Sequence, residues 1–109
     1  MTTYNPDKWL VVKLTSHAGT HYRVFGSWYG GFAGSDSWKL NSGITSCEIV
    51  DGVYIFTGHS GSVYDCVDGM YGSSSYAWSV LQQMIEEGAD TVTIEVMPEE
   101  TDFLTLDYS

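Results

Sequence analysis

The side chains best suited to chemistry in this chain are His17, His21, His59, Cys47 and Cys66. Together they offer the nitrogen and sulfur atoms that zinc prefers. Yet His17 and His21 flank an expected hairpin loop, not one helix face, and no Cys-x2-Cys pair is present. A thiol nucleophile built from Cys66 or Cys47 with His59 and Asp65 has the right residue types, but no local spacing brings them together. The run Gly58-His59-Ser60-Gly61 lacks the spacing of a nucleophile elbow and reads as a turn. Partly exposed loop histidines and buried neutral thiols account for all five residues, so we expect no catalytic residue, no metal site and no cofactor.

Charge carries more information. Residues 60 to 109 hold ten of the fourteen acids, namely Asp65, Asp68, Glu86, Glu87, Asp90, Glu95, Glu99, Glu100, Asp102 and Asp107, and no Lys or Arg. The first 59 residues balance Asp7, Asp36, Glu48 and Asp51 against Lys8, Lys13, Arg23 and Lys39, so the formal charge of −10 belongs to the second half. Such an excess repels a polyanion, and the glycines of Gly30-Gly31 and Gly61 lack the lysine and strand–helix setting of a phosphate cradle. Direct nucleic-acid binding is therefore not expected. Adaptation to strong salt predicts acids scattered over both halves, which is not the pattern.

The elements that must position these residues follow from periodicity. Lys8 to Thr15 reads as a strand, paired through a short loop with Thr20 to Tyr29, and Gly26 within the latter marks a bulge or a close backbone approach. Ser37 to Asn41 is a short strand. Ile44 to Val50 and Val53 to Gly58 flank Asp51-Gly52, a pair that favours the type I′ turn of a tight hairpin. Ser62 to Val67 and Thr91 to Met97 complete the strands, the latter with Val92, Ile94 and Val96 inward and Thr93 and Glu95 outward. Between them Tyr76, Ala77, Val80, Leu81, Met84 and Ile85 recur at helical spacing. Ser73 or Ser74 can cap that helix, and Gly88 can end it in the left-handed conformation. The expectation is one α+β domain over residues 1–109: a twisted, mainly antiparallel sheet of about six or seven strands with one amphipathic helix, about 73–88, on one face. The segment 99–109 interleaves apolar and acidic residues and is either an edge strand or a docked segment.

An acidic face built from Asp65, Asp68, Glu86, Glu87, Asp90, Glu95, Glu99, Glu100 and Asp102 suits a basic groove on another protein. Trp28, Tyr29, Phe32 and Tyr71 lie in glycine- and serine-rich surroundings and are the candidate aromatic anchors for that contact. In size, in its α+β layout, in its Met1-Thr2-Thr3 start without a secretion signal and in its one-sided acids, the chain resembles small acidic phage-encoded inhibitors, anti-CRISPR proteins and DNA mimics among them. That resemblance is compositional and carries no motif, so no residue role comes with it. It implies a non-enzymatic, cytoplasmic inhibitor that blocks a nucleic-acid-handling host protein such as a CRISPR effector or nuclease, with no membrane contact. Immunity proteins against nuclease toxins share these traits, and a small-ligand or carbohydrate module using the exposed aromatics is the reading from another class.

Overall fold

The computed structural model describes residues 2–30 and 36–108. Its strands are β1 (Thr3–Tyr4), β2 (Lys8–Ser16), β3 (Gly19–Trp28), β4 (Ser37–Leu40), β5 (Ile44–Val50), β6 (Val53–Gly58), β7 (Val63–Val67) and β8 (Thr93–Val96), with one helix, α1 (Ser75–Gly88), before β8. They form two four-stranded sheets, not one. A central sheet has the order β4-β3-β2-β8 and an outer sheet the order β1-β7-β6-β5. Every pairing is antiparallel except that of β1 with β7.

The second sheet follows from the composition of β2 and β3. A strand with one wet face alternates apolar and polar residues, whereas Trp9-Leu10-Val11-Val12 is a continuous apolar run, as expected when both faces are covered. Trp9 and Val11 pack with Val24, Ile44, Phe56, Tyr64, Cys66 and Phe103 between the two sheets. Leu10, Val12 and Leu14 point the other way and pack with Phe25, Ala77 and Leu81 beneath the helix. The layers are therefore outer sheet, central sheet, helix.

Local rules hold at most junctions. Asp51 (φ 51°) and Gly52 (φ 76°) both occupy the left-handed region that the tight β5–β6 turn demands. At Gly26 the reason is close approach: a Cβ there lies 3.1 Å from Pro6 Cβ and 3.3 Å from Trp28 Cη2. Ser74 is the helix cap, its hydroxyl accepting the Ala77 N–H at 3.1 Å. Gly88, by contrast, does not take the left-handed conformation, and the next residue, Ala89, is still right-handed (φ −57°). The Gly88 carbonyl accepts N–H bonds from Thr91 and Val92 where the helix stops, and glycine eases the close packing there, since a Cβ meets Val92 Cγ1 at 3.1 Å. On the helix, Tyr76 is exposed while Ala77 and Leu81 are buried, so the apolar stripe is narrower than its spacing suggests.

The tail is a docked segment. Phe103 is buried between the sheets, and the Tyr108 hydroxyl donates to its carbonyl at 2.5 Å, while Leu106 packs alongside. Truncating Phe103 removes a ring from a filled core, so Phe103→Ala is expected to cost about 3–5 kcal/mol. Its exposed neighbour Leu104 is expected to tolerate Leu104→Ala within about 0.5 kcal/mol. Urea denaturation of the two variants beside the parent protein checks the difference; equal losses contradict this placement.

Candidate functional site

Strand alternation sorts the outer sheet into an inner and an outer face. Tyr64 and Cys66 are buried against the central sheet, so Val63, Asp65 and Val67 face out, and the register carries this parity across the sheet. The outer face then reads as cross-strand rows. Glu48, Ile55 and Asp65 form one, and Val50, Val53 and Val67 form the next. Among the described residues no element covers these rows, and Val50 and Val67 remain 49% and 47% exposed.

Several other acids act on inward-pointing side chains along the seam where the tail docks between the sheets. Burial first, then Asp102 and Glu48, push the Cys47 thiol up to about 12. Burial raises Tyr54 as well, with Asp68 the next cause and Asp102 also contributing. Tyr71 rises to about 12 chiefly through burial; its bond with the Val11 backbone opposes this, and Glu99 and Glu100 add to it. Glu48, Asp68, Asp102 and the Glu99–Glu100 pair thus act on one aromatic seam, in which the Phe103 ring lies 5.9 Å from Tyr54 and 5.7 Å from Tyr71.

The remaining expected acids lie elsewhere. Glu86 and Glu87 end the helix and Asp90 follows it, on the layer opposite the outer sheet, so Asp65 and the helix acids face away from each other. Glu87 accepts a hydrogen bond from Gln83 at 3.0 Å. Glu95 stands on the edge strand β8 directly opposite Lys13. The nine acids do not share one face, because the central sheet separates them. Of the other bases, Lys39 sits over the Tyr4 ring at 5.0 Å and Arg23 bonds to His21 at 3.1 Å.

The aromatic anchors divide similarly. Tyr29 is 47% exposed and reachable. Trp28 is half-buried, its indole N–H donating to the Asn5 carbonyl at 3.0 Å, and Tyr71 pins three segments by donating to Met97 and accepting from the Val11 N–H. Those two are committed to the fold. Phe32 lies outside the described residues. Sequence reasoning missed the exposed valines and Glu48, although apolar residues at both parities of β5–β7 were the available signal. It also missed Tyr76 and Trp78, which are 51% and 44% exposed on the helix.

A cleft of about 580 Å³ opens at the far end of the sheets, lined by the β2–β3 turn, Ser42 of the β4–β5 crossover, Thr45 of β5, His59, and Tyr108 of the tail. His21 joins this lining because β3 begins at Gly19, which places it on a strand rather than in a loop. Among the described residues no group of three or more His, Cys, Asp or Glu is arranged to hold a metal ion. Comparison with known proteins returns no matching family model, no matching curated protein and no matching solved structure.

The thiols are poorly set for nucleophilic chemistry. Cys66 is fully buried, and burial with the nearby Asp65 charge pushes its thiol up, as burial does for Cys47. Raised values deplete the thiolate, the reverse of an activated cysteine. At mildly alkaline pH both thiols are expected to react with a disulfide reagent roughly 100-fold more slowly than free cysteine. Urea should restore the ordinary rate, and fast labelling of the folded protein contradicts the expectation.

Proposed function

We propose that the protein is a non-enzymatic inhibitor that lays the outer face of its outer sheet over a basic, nucleic-acid-binding surface of another protein. The observation that supports this reading is the pairing of a Glu48–Ile55–Asp65 row with a Val50–Val53–Val67 row whose two outer valines are exposed. Adjacent strands lie about 4.7–4.9 Å apart, so the two carboxylates of that row stand on the order of 10 Å apart with an isoleucine between them. Valines can be desolvated against a partner, while exposed acids steer the encounter and exclude acidic surfaces. The face is narrower than the whole acidic half, and the helix acids serve as long-range field, not contact.

The same chemistry suits a phage-encoded anti-defence protein, such as an anti-CRISPR protein acting in the host cytoplasm, and an immunity protein bound to its cognate nuclease. The two differ in the partner, and both require acids on an exposed apolar sheet.

The test is capture of basic nucleic-acid-handling proteins from bacterial lysate at low and high salt, followed by kinetics with the captured partner. Glu48→Lys with Asp65→Lys is expected to slow association roughly tenfold or more, and Val67→Ala to speed dissociation. Reversal of Glu86 and Glu87 to Lys should change the rate far less. Association indifferent to salt and to the Glu48 and Asp65 reversals rules the reading out.

A further inference from the structure

The cleft at the far end of the sheets differs in chemistry from everything around it. In a chain with fourteen acids, none of its lining residues is Asp or Glu. The lining instead presents two imidazoles, His21 and His59, with the hydroxyls of Ser16, Thr20, Ser42, Thr45 and Tyr108. Arg23 backs His21, its Nε donating to His21 Nε2 at 3.1 Å. Because Nε2 accepts that bond, the proton of the neutral ring resides on Nδ1, and His21 retains a donor.

The walls are tied down. The Gly43 carbonyl accepts the His59 N–H at 2.9 Å, and Asn41 Oδ1 accepts the N–H groups of Val24 and Gly43 at 2.9 and 3.3 Å. Gly43 has φ +122°, and a Cβ there lies 2.8 Å from His59 Cδ2, so glycine allows the His59 ring to close on the backbone, with His21 Cδ2 at an ordinary contact distance of 3.9 Å. Thr45 donates to the Thr57 carbonyl at 3.1 Å and Tyr108 to Phe103 at 2.5 Å, so these hydroxyls are committed, whereas among the described residues the His59 ring and the Thr20 hydroxyl have no hydrogen-bond partner. Thr20 and the His59 ring are exposed at the mouth of the cleft and free to turn toward a ligand, and with the Nδ1–H of His21 and the Arg23 guanidinium beside it they form a set of donors that suits an acceptor-rich group.

We propose that this cleft binds a tetrahedral oxyanion, the phosphate group of a small phosphomonoester, between His21, His59 and Thr20 with Arg23 behind. The volume exceeds what a bare anion fills and falls in the range of small-molecule sites, about 300–1,000 Å³. The remaining cleft, walled by Tyr108, Ser16 and Ala18, is left for the organic part of the ligand.

Binding is coupled to protons. Burial first, then the charges of Arg23 and His59, hold His21 below its ordinary value of 6.5. A cationic imidazole is thus disfavoured in the folded protein, and stability present above the ordinary value falls as pH drops through the range beneath it. A bound anion opposes that preference: as the ring takes its second proton on Nε2 the Arg23 Nε–H turns from it to the anion, so the anion raises the His21 value and binds more tightly as pH falls. The groups facing His21 from neighbouring elements are Arg23 on its own strand, His59 of the β6–β7 turn and Tyr108 of the tail, which Asp107 precedes; His17 lies exposed in the adjoining turn.

Histidine-detected NMR of the intact protein tests the proposal, with sulfate as the pH arm because its charge does not change across this range. Sulfate is expected to move the His21, His59 and Thr20 signals, to raise the His21 midpoint, and to bind up to about tenfold more tightly per pH unit as one imidazole takes a proton. A phosphomonoester should bind more tightly than sulfate, and its neutral parent alcohol at least about tenfold more weakly than the ester. Arg23→Met and, on a separate element, His59→Asn should each weaken sulfate about tenfold. Signals that stay unmoved, equal binding of ester and alcohol, no gain of ester over sulfate, or affinity indifferent to pH each overturn the proposal, and the parent protein supplies these readouts even if a variant fails to fold.

Discussion

The burial of Trp9 between the two sheets is the contact on which the rest of the structure depends. Its ring packs against Tyr54, Phe56, Tyr71 and Phe103 at centroid distances from 4.8 to 5.6 Å, which joins β2 to β6, to the segment before the helix and to the tail. Its indole N–H donates to the Val67 carbonyl at 2.8 Å, so the polar edge of the ring is satisfied where β7 ends. A buried aromatic contributes large apolar area, and its one donor must find a partner. Both conditions are met by residues that lie far away in sequence, and the relative placement of the sheets follows from meeting them together.

That arrangement uses up both faces of the central sheet. The helix takes one side through Ala77 and Leu81, the outer sheet takes the other, and the outer sheet is left with an uncovered face bearing valines and acids. An apolar sheet surface exposed to water costs free energy unless something uses it. Meanwhile the acids divide between the tail seam, the helix end and the β8 edge, where a charged residue such as Glu95 also discourages further strand pairing. Net charge thus reports on the molecule as a whole, while recognition depends on which carboxylates share a surface.

The two ends of the sheets differ in kind. At one end carboxylates surround phenols whose protons are held by burial and by negative neighbours. At the other, imidazoles and hydroxyls line a cleft free of acids. Exposed charges are screened over about 8–10 Å at physiological ionic strength, so an anion-favouring site and an acidic surface can coexist on one small molecule.

Much of the fold was legible locally. The Asp51-Gly52 hairpin, the inward set of β8, the Ser74 cap and the single helix all follow from interactions within a few residues, where turn geometry and side-chain periodicity act directly. Gly88 shows where such reasoning stops, for its role is a contact with Val92 and not its backbone angle. The sequence by itself determined the element types, the excess of negative charge and the apolar character of β2. Only the tertiary structure decided that two sheets stack, that Trp28 and Tyr71 serve the core, that the helix acids and Asp65 face apart, and that His21 meets His59 across Gly43. The physical reason is that periodicity specifies which side of its own strand or helix a residue occupies, whereas the neighbour on that side is chosen by burial among segments distant along the chain.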